Sequence, residues 1–141
     1  MATLGNTRKA YITIGSSGTP TTWLSGEQSN NFNRTSEAIE VSDKSTTWAQ
    51  FIAGKRGATA EITVFTDDTT SGPQWNAIKA LHTGVTVRVF IGVLSGSSAS
   101  QGDVFTAVVT AISDTNDNGS VASRSISLTA TGEVTHYPTL S

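Results

Sequence analysis

Val104-Phe-Thr-Ala-Val-Val-Thr-Ala-Ile112 and the run from Val121 to Val134 decide the fold class of this chain. The second run alternates strictly. Ala122, Arg124, Ile126, Leu128, Ala130 and Val134 fall on one side, and Ser123, Ser125, Ser127, Thr129, Thr131 and Glu133 on the other. Successive strand side chains point to opposite faces, so this is a strand with one buried face and one hydroxyl-lined face. Arg124 interrupts the apolar side near a turn, where its long stem is expected to reach water. Between the runs, Asp114-Thr-Asn-Asp-Asn-Gly-Ser120 has turn composition. The unit is a long β-hairpin.

Outward from that hairpin, the composition agrees with a β-rich chain. Only 36% of the 141 residues are hydrophobic and 14% charged, while 18 Ser and 23 Thr make hydroxyls dominant, so the strands must carry large polar surfaces. The length suits a single domain spanning 1–141. Net charge is −2 with no basic block, which disfavours specific nucleic-acid binding, and the lack of cysteine excludes disulfides and thiolate zinc sites. No signal-peptide core and no apolar run of membrane-spanning length is present, so a soluble protein with no membrane association is expected.

The remaining elements follow in order. Residues 1–8 read as a polar arm, 9–15 as a first strand, and 16–26 as a loop carrying Trp23 and Leu24. Residues 27–34 and 37–43 read as a polar hairpin turning at Thr35-Ser36. Residues 43–57 break the β pattern and read as a long loop with Trp48, Phe51 and Ile52, ending in Gly54-Lys-Arg-Gly57. Loops of this length are uncommon and usually functional or disordered. Its apolar residues either fold back onto the core or anchor a contact with another subunit, with Lys55 and Arg56 available to pair with acids there. Residues 58–67 read as a strand, and Asp67-Asp68 as a solvated turn.

Residues 73–83 read as the one helix: Pro73 suits the first position, Gly84 the left-handed end, and Trp75, Ile78 and Leu81 form a stripe expected to face the core. Val85 to Val93 alternates as a strand, residues 95–102 read as a flexible loop, and residues 135–141 as a tail. The fold class expected is mainly β: a two-sheet β-sandwich or partly closed barrel with one short α-helix.

Enzyme signals are poor. His82 and His136 lack metal-ligand spacing, and no nucleophile elbow or phosphate loop occurs. Asp114-Thr-Asn-Asp-Asn-Gly119 matches half of a calcium loop, but Ser125 stands at the twelfth position, so the turn reading stands. No catalytic residue, metal or cofactor is expected. Three tryptophans keep a carbohydrate-binding β-sandwich as the alternative function.

Glu37-Ala-Ile-Glu-Val-Ser-Asp-Lys-Ser-Thr-Thr-Trp48, then Phe51-Ile-Ala-Gly54, the helix, Gly84-Val-Thr-Val-Arg-Val-Phe90, and the closing hairpin into Ser125-Ile-Ser-Leu-Thr-Ala-Thr-Gly132 together resemble the major tail protein family of long-tailed bacteriophages. The resemblance spans residues 11–134 and lies in order and spacing. It implies a structural virion protein: a tail tube subunit that self-assembles into hexameric rings, stacked so that strands from all subunits line a channel for genome ejection. It further implies tape measure, tail terminator and tail-tip partners, non-specific passage of double-stranded DNA, and a location in the virion tail after assembly in the host cytoplasm. Lumen-facing candidates are Glu40 and Ser42 on one polar strand face, with Ser125, Ser127 and Thr129 as the alternative; Glu40 is preferred because its strand has few apolar residues to bury.

Overall fold

The computed structural model describes residues 8–45, 47–95 and 98–138. Seven strands and one helix are present among them: β1 (Lys9–Ile14), β2 (Glu27–Glu40), β3 (Phe51–Phe65), α1 (Pro73–Thr83), β4 (Val87–Ser95), β5 (Ser98–Thr115), β6 (Ser123–Ala130) and β7 (Thr135–Tyr137). All pair antiparallel in the order β1-β4-β5-β6-β3-β2, with β7 added to β5.

The long hairpin forms as its alternation requires, with β5 and β6 paired from Ala107–Ala130 to Thr115–Ser123. Ile126 and Leu128 are buried, and Val109 and Ala107 lie opposite on the same face. Ala60, Ile62 and Val64 of β3, and Val87, Val89 and Ile91 of β4, complete one continuous apolar cluster with Ala10, Ile12 and Phe105. Burial of that cluster, at ~25 cal/mol per Å², is the main force holding the sheet in its bent form.

The sheet bends until its two ends meet. Phe32 on β2 stacks on Phe105 of β5, ring centroids 5.0 Å apart and 17° from parallel. Glu27 of β2 accepts from the Ala10 backbone N–H of β1 (3.0 Å), and Asn30 donates to the Arg8 carbonyl (3.2 Å). Side chains rather than a ladder therefore bridge the two edges, and the barrel is partly closed. The free side of β1 is covered by residues 22–24, through Leu24 N–H to Ala10 O and Ile12 N–H to Thr22 O.

Several expectations are corrected. Thr35-Ser36 is not a turn: β2 runs through it, paired with Gly57 and Arg56. Residues 51–57, read as loop, are the first half of β3, so the connection shrinks to residues 41–50. Gly54 misled because glycine in a strand weakens it; here it marks a bulge and a close approach, where a Cβ would lie 2.9 Å from the Ile39 side chain. Residues 98–102, read as flexible loop, belong to β5 and pair back on β4.

The helix occupies the expected span, with the Gly84 N–H closing it onto the Ala80 carbonyl. Its stripe differs in part. Gln74, Ala77 and Ala80 are the buried positions and Leu81 packs against the core as expected, while Trp75 is exposed and Ile78 half-buried. Small residues let the helix lie close on the sheet, and Gln74 is buried because all its polar atoms find partners. Arg124 does not reach water either. It is buried, donating to Asp114 (2.6 Å), Gln74 (2.9 Å) and Asp68 (3.4 Å).

Candidate functional site

Four strands in the order β5-β6-β3-β2 form a layer whose second face packs extensively against no other element among the described residues. The register places Thr129, Ser127, Ser125 and Ser123 of β6 beside Thr59, Glu61, Thr63 and Phe65 of β3. On the flanks, Asn31, Asn33 and Thr35 of β2 oppose Glu61, Thr59 and Gly57. Ala111, Ser113 and Thr115 of β5 oppose Ser127, Ser125 and Ser123. Alternation puts Ala60, Ile62 and Val64 of β3 and Ile126 and Leu128 of β6 in the core, so the hydroxyl and amide groups face outward together, with the exposed Phe65 at the end of the row. A shallow hollow of about 250 Å³ lies among Asn31, Asn33, Glu61, Thr110 and Ser127.

Glu61 is the one carboxylate in the middle of this face, and it accepts from the Ser125 hydroxyl at 3.1 Å. Sequence reading missed it. The available signal was a single charge among the alternating threonines of 59–63. Ser125, Ser127 and Thr129 are here, brought together as expected of one strand face. Glu40 and Ser42 are not: Glu40 pairs with Phe51 beyond the bulge, on the face that Ala38 shares, and the Ser42 hydroxyl accepts from the Gln50 N–H in the connecting loop (2.6 Å).

The layer has two open edges. β2 pairs with β3 on one side and has no ladder on the other among the described residues. β5 leaves β4 at Ala107, so residues 108–115 pair only with β6 among the described residues. Such unpaired rows of N–H and C=O groups are templates for another strand, and the β5 edge carries only Asp114 as a charge.

Beyond Thr35 and Gly57 the β2–β3 pair projects past the core as an arm. Trp48 at its tip is 84% exposed, and Phe51, Ile52, Ile39 and Val41 are also exposed. Lys55 and Arg56 lie exposed nearer the root. The candidates Trp48, Phe51, Ile52, Lys55 and Arg56 thus share one arm, and none folds back onto the core.

Two polar clusters hold the layer to the rest of the domain. At the arm's root, Asp103 of β5 is only 2% exposed. It is paired with Arg34 of β2 and with His136 of β7, whose Nδ1 lies 2.9 Å from its Oδ1. Arg34 also lies over the Phe32 ring, 5.0 Å from its centroid. At the other end Gln74 donates to the Ser25 and Phe65 carbonyls (3.0 and 2.8 Å) and accepts from Asp67 N–H and Arg124. Asp67 is not merely a solvated turn residue: the Thr69 hydroxyl, the Ser25 hydroxyl and the Thr69 N–H donate to it, and hold its carboxyl below the usual carboxylate range. Burial, then the Glu27 charge, raises the Tyr11 phenol. Among the described residues no group of three or more His, Cys, Asp or Glu is placed to hold a metal, and no helix is long and apolar enough to cross a membrane.

Neither a protein-family model nor a curated protein matches the chain. Solved structures do. The tail of an empty gene transfer agent particle, refined with C6 symmetry, superposes with a TM-score of 0.80 at 15% identity, over 96% of this chain and 98% of that one. The SPP1 tail tube gives 0.68 at 16% identity, over 92% and 76%. A chain of the anti-feeding prophage baseplate gives 0.62 at 13% identity, over 98% and 99%. The chain has the tail-tube fold.

Proposed function

We propose, from that fold, that the chain is a structural tail tube subunit that polymerises into stacked hexameric rings. The observation that carries this reading is the β5-β6-β3-β2 layer, with one face on the core along β3 and β6, one face lined by hydroxyl and amide groups, and both edges unpaired among the described residues. In a ring, the outer edge of β2 in one subunit pairs with the 108–115 edge of β5 in the next, which removes both edges at once. Six copies, the symmetry of the gene transfer agent tail, would supply about 24 strands; at ~4.8 Å spacing the wall is roughly 115 Å around and about 37 Å across before tilt widens it.

The polar face then lines the channel, with Ser125, Ser127, Thr129 and Glu61 inward. A hydroxyl wall with a ring of carboxylates stays wet and offers no Lys/Arg set to bind phosphates, so DNA passes without being held. The arm reaches the neighbouring ring, with Trp48, Phe51 and Ile52 as apolar anchors and Lys55 and Arg56 beside them. Tape measure, terminator and tail-tip proteins are the partners this role requires. The carbohydrate-binding alternative loses support from the tryptophans, which lie on the β1-covering segment, the arm tip and the helix rather than on one platform.

Electron microscopy of the purified protein, alone and with its tail-tip proteins, tests the reading. Rings or tubes of six-fold symmetry are expected. A species that stays monomeric in both mixtures across concentration and salt would overturn it.

A further inference from the structure

We infer that Asn118 is a site of spontaneous covalent conversion, in which its amide becomes a carboxylate at the end of the β5–β6 hairpin. It is the one asparagine in the chain followed by glycine. The turn containing it is closed by Ser120 N–H to Asp117 O at 3.2 Å, which makes Asn118 and Gly119 its two central residues. Only Gly119 of the two has positive φ, 84°, as a type II turn requires.

That geometry leaves both reacting groups free. In a turn closed between its first and fourth residues, the N–H of the third has no partner within the turn. Among the described residues no acceptor meets the Gly119 N–H and no group bonds the Asn118 side chain. Both residues are exposed, and nothing lies within 4 Å of where a Gly119 Cβ would stand, so the turn is open to solvent and uncrowded. The other asparagines of the described residues differ on these points. Asn30, Asn31 and Asn33 are held in β2, Asn76 in α1, and Asn116 precedes Asp117, whose Cβ crowds the attacking nitrogen.

The step balances without an oxidant. Hydroxide removes the Gly119 amide proton, and the nitrogen lone pair attacks the Asn118 side-chain carbon. The N–C bond forms as the carbon–amide-nitrogen bond breaks, and ammonia leaves with a proton from water. Water then opens the five-membered imide at either carbonyl. Opening at one carbonyl yields Asp, and opening at the other yields the isoaspartyl linkage, which carries an extra methylene in the main chain. Either product adds a negative charge beside Asp114 and Asp117. Because hydroxide drives the first step, the rate rises with pH.

The test is peptide mapping of the whole folded chain after incubation at mildly alkaline pH, beside the Asn118→Gln variant, whose longer side chain closes a six-membered ring far more slowly. The amide-to-acid mass shift should gather on the peptide spanning residues 114–124, grow with pH and be lost in Asn118→Gln. An intact peptide there while other asparagines convert would overturn the inference, as would equal conversion of that peptide in the variant. Circular dichroism before and after confirms that the chain read was folded.

Discussion

Arg124 of β6 donates through Nη1 to Oε1 of Gln74 at the start of α1, 2.9 Å away, and both side chains are buried. A buried guanidinium is costly unless its donors are met, and here Asp114 and Asp68 take two more of them. Asp68 is 83% exposed and adds little; Gln74 and Asp114 are the partners that count. Replacing Gln74 by Ala strands the Arg124 group, the Asp67 N–H and two carbonyls together. A loss of about 2–4 kcal/mol is expected, read as a fall in urea midpoint.

Gly92 and Gly102 face each other across β4 and β5 so closely that a Cβ on Gly92 would lie 2.0 Å from the Gln101 carbonyl oxygen. The obstacle is backbone, which cannot step aside. Gly102→Ala should cost roughly 2 kcal/mol or more, whereas Gly84→Ala, whose surroundings are open, should cost about 1 kcal/mol from its left-handed conformation alone. Parallel urea curves at unchanged slope check the contrast.

Asp67 supplies the pH prediction. Its carboxyl is held below 3.8 in the folded chain by the Thr69 and Ser25 hydroxyls. The unfolded chain therefore binds a proton first as pH falls. The stabilisation is present above the ordinary carboxylate range and is lost as pH drops through the depressed value. Asp67→Asn should flatten the stability-against-pH curve below about pH 4 and leave its slope near neutrality unchanged. Thermal unfolding between neutral and acid pH reads both.

Trp48→Ala with Phe51→Ala should leave monomer stability within about 0.5 kcal/mol per substitution, since neither side chain is buried in the chain. Polymerisation should fail. Loss of folding instead would place the arm's apolar residues in the domain's own stability.

Glu61→Lys reverses the one carboxylate at the centre of the polar face. Tubes should assemble, bind duplex DNA with a strong decline as salt rises, and eject genomes poorly. The same change at Glu40, on the other side of its strand, should bind DNA less. Filter binding across a salt series ranks the two.

Where residues alternate without interruption, as at 121–134, the fold was legible, because one register alone buries Ile126 and Leu128. The helix limits were equally legible from Pro73 and Gly84. The helix's buried side was not: Gln74 becomes a core residue only through partners brought from β3, β6 and residue 25, contacts that no local pattern carries. The β3 half of the arm, residues 51–57, was read as loop because Gly54 and Gly57 have weak strand preference and Lys55-Arg56 breaks the alternation, and the pairing of β2 with β3 overrides that preference. The polar face was half legible. Its serines announced themselves, but Glu61 joined them through cross-strand register, and Glu40 fell on the other side because β2 alternates unbroken from Asn31 to Glu40, which puts Glu40 with Phe32 and Arg34 and not with Asn31 and Asn33.

β5 changes partner at Ala107 without breaking, from β4 behind it to β6 ahead. One covalent strand therefore belongs to the domain body along half its length and to the polar layer along the other half. Tension applied to that layer would travel into the body along the main chain itself and spread as shear over two ladders, with no soft connector in series. In the proposed tube, a shaft of such units would resist stretching wherever those ladders hold.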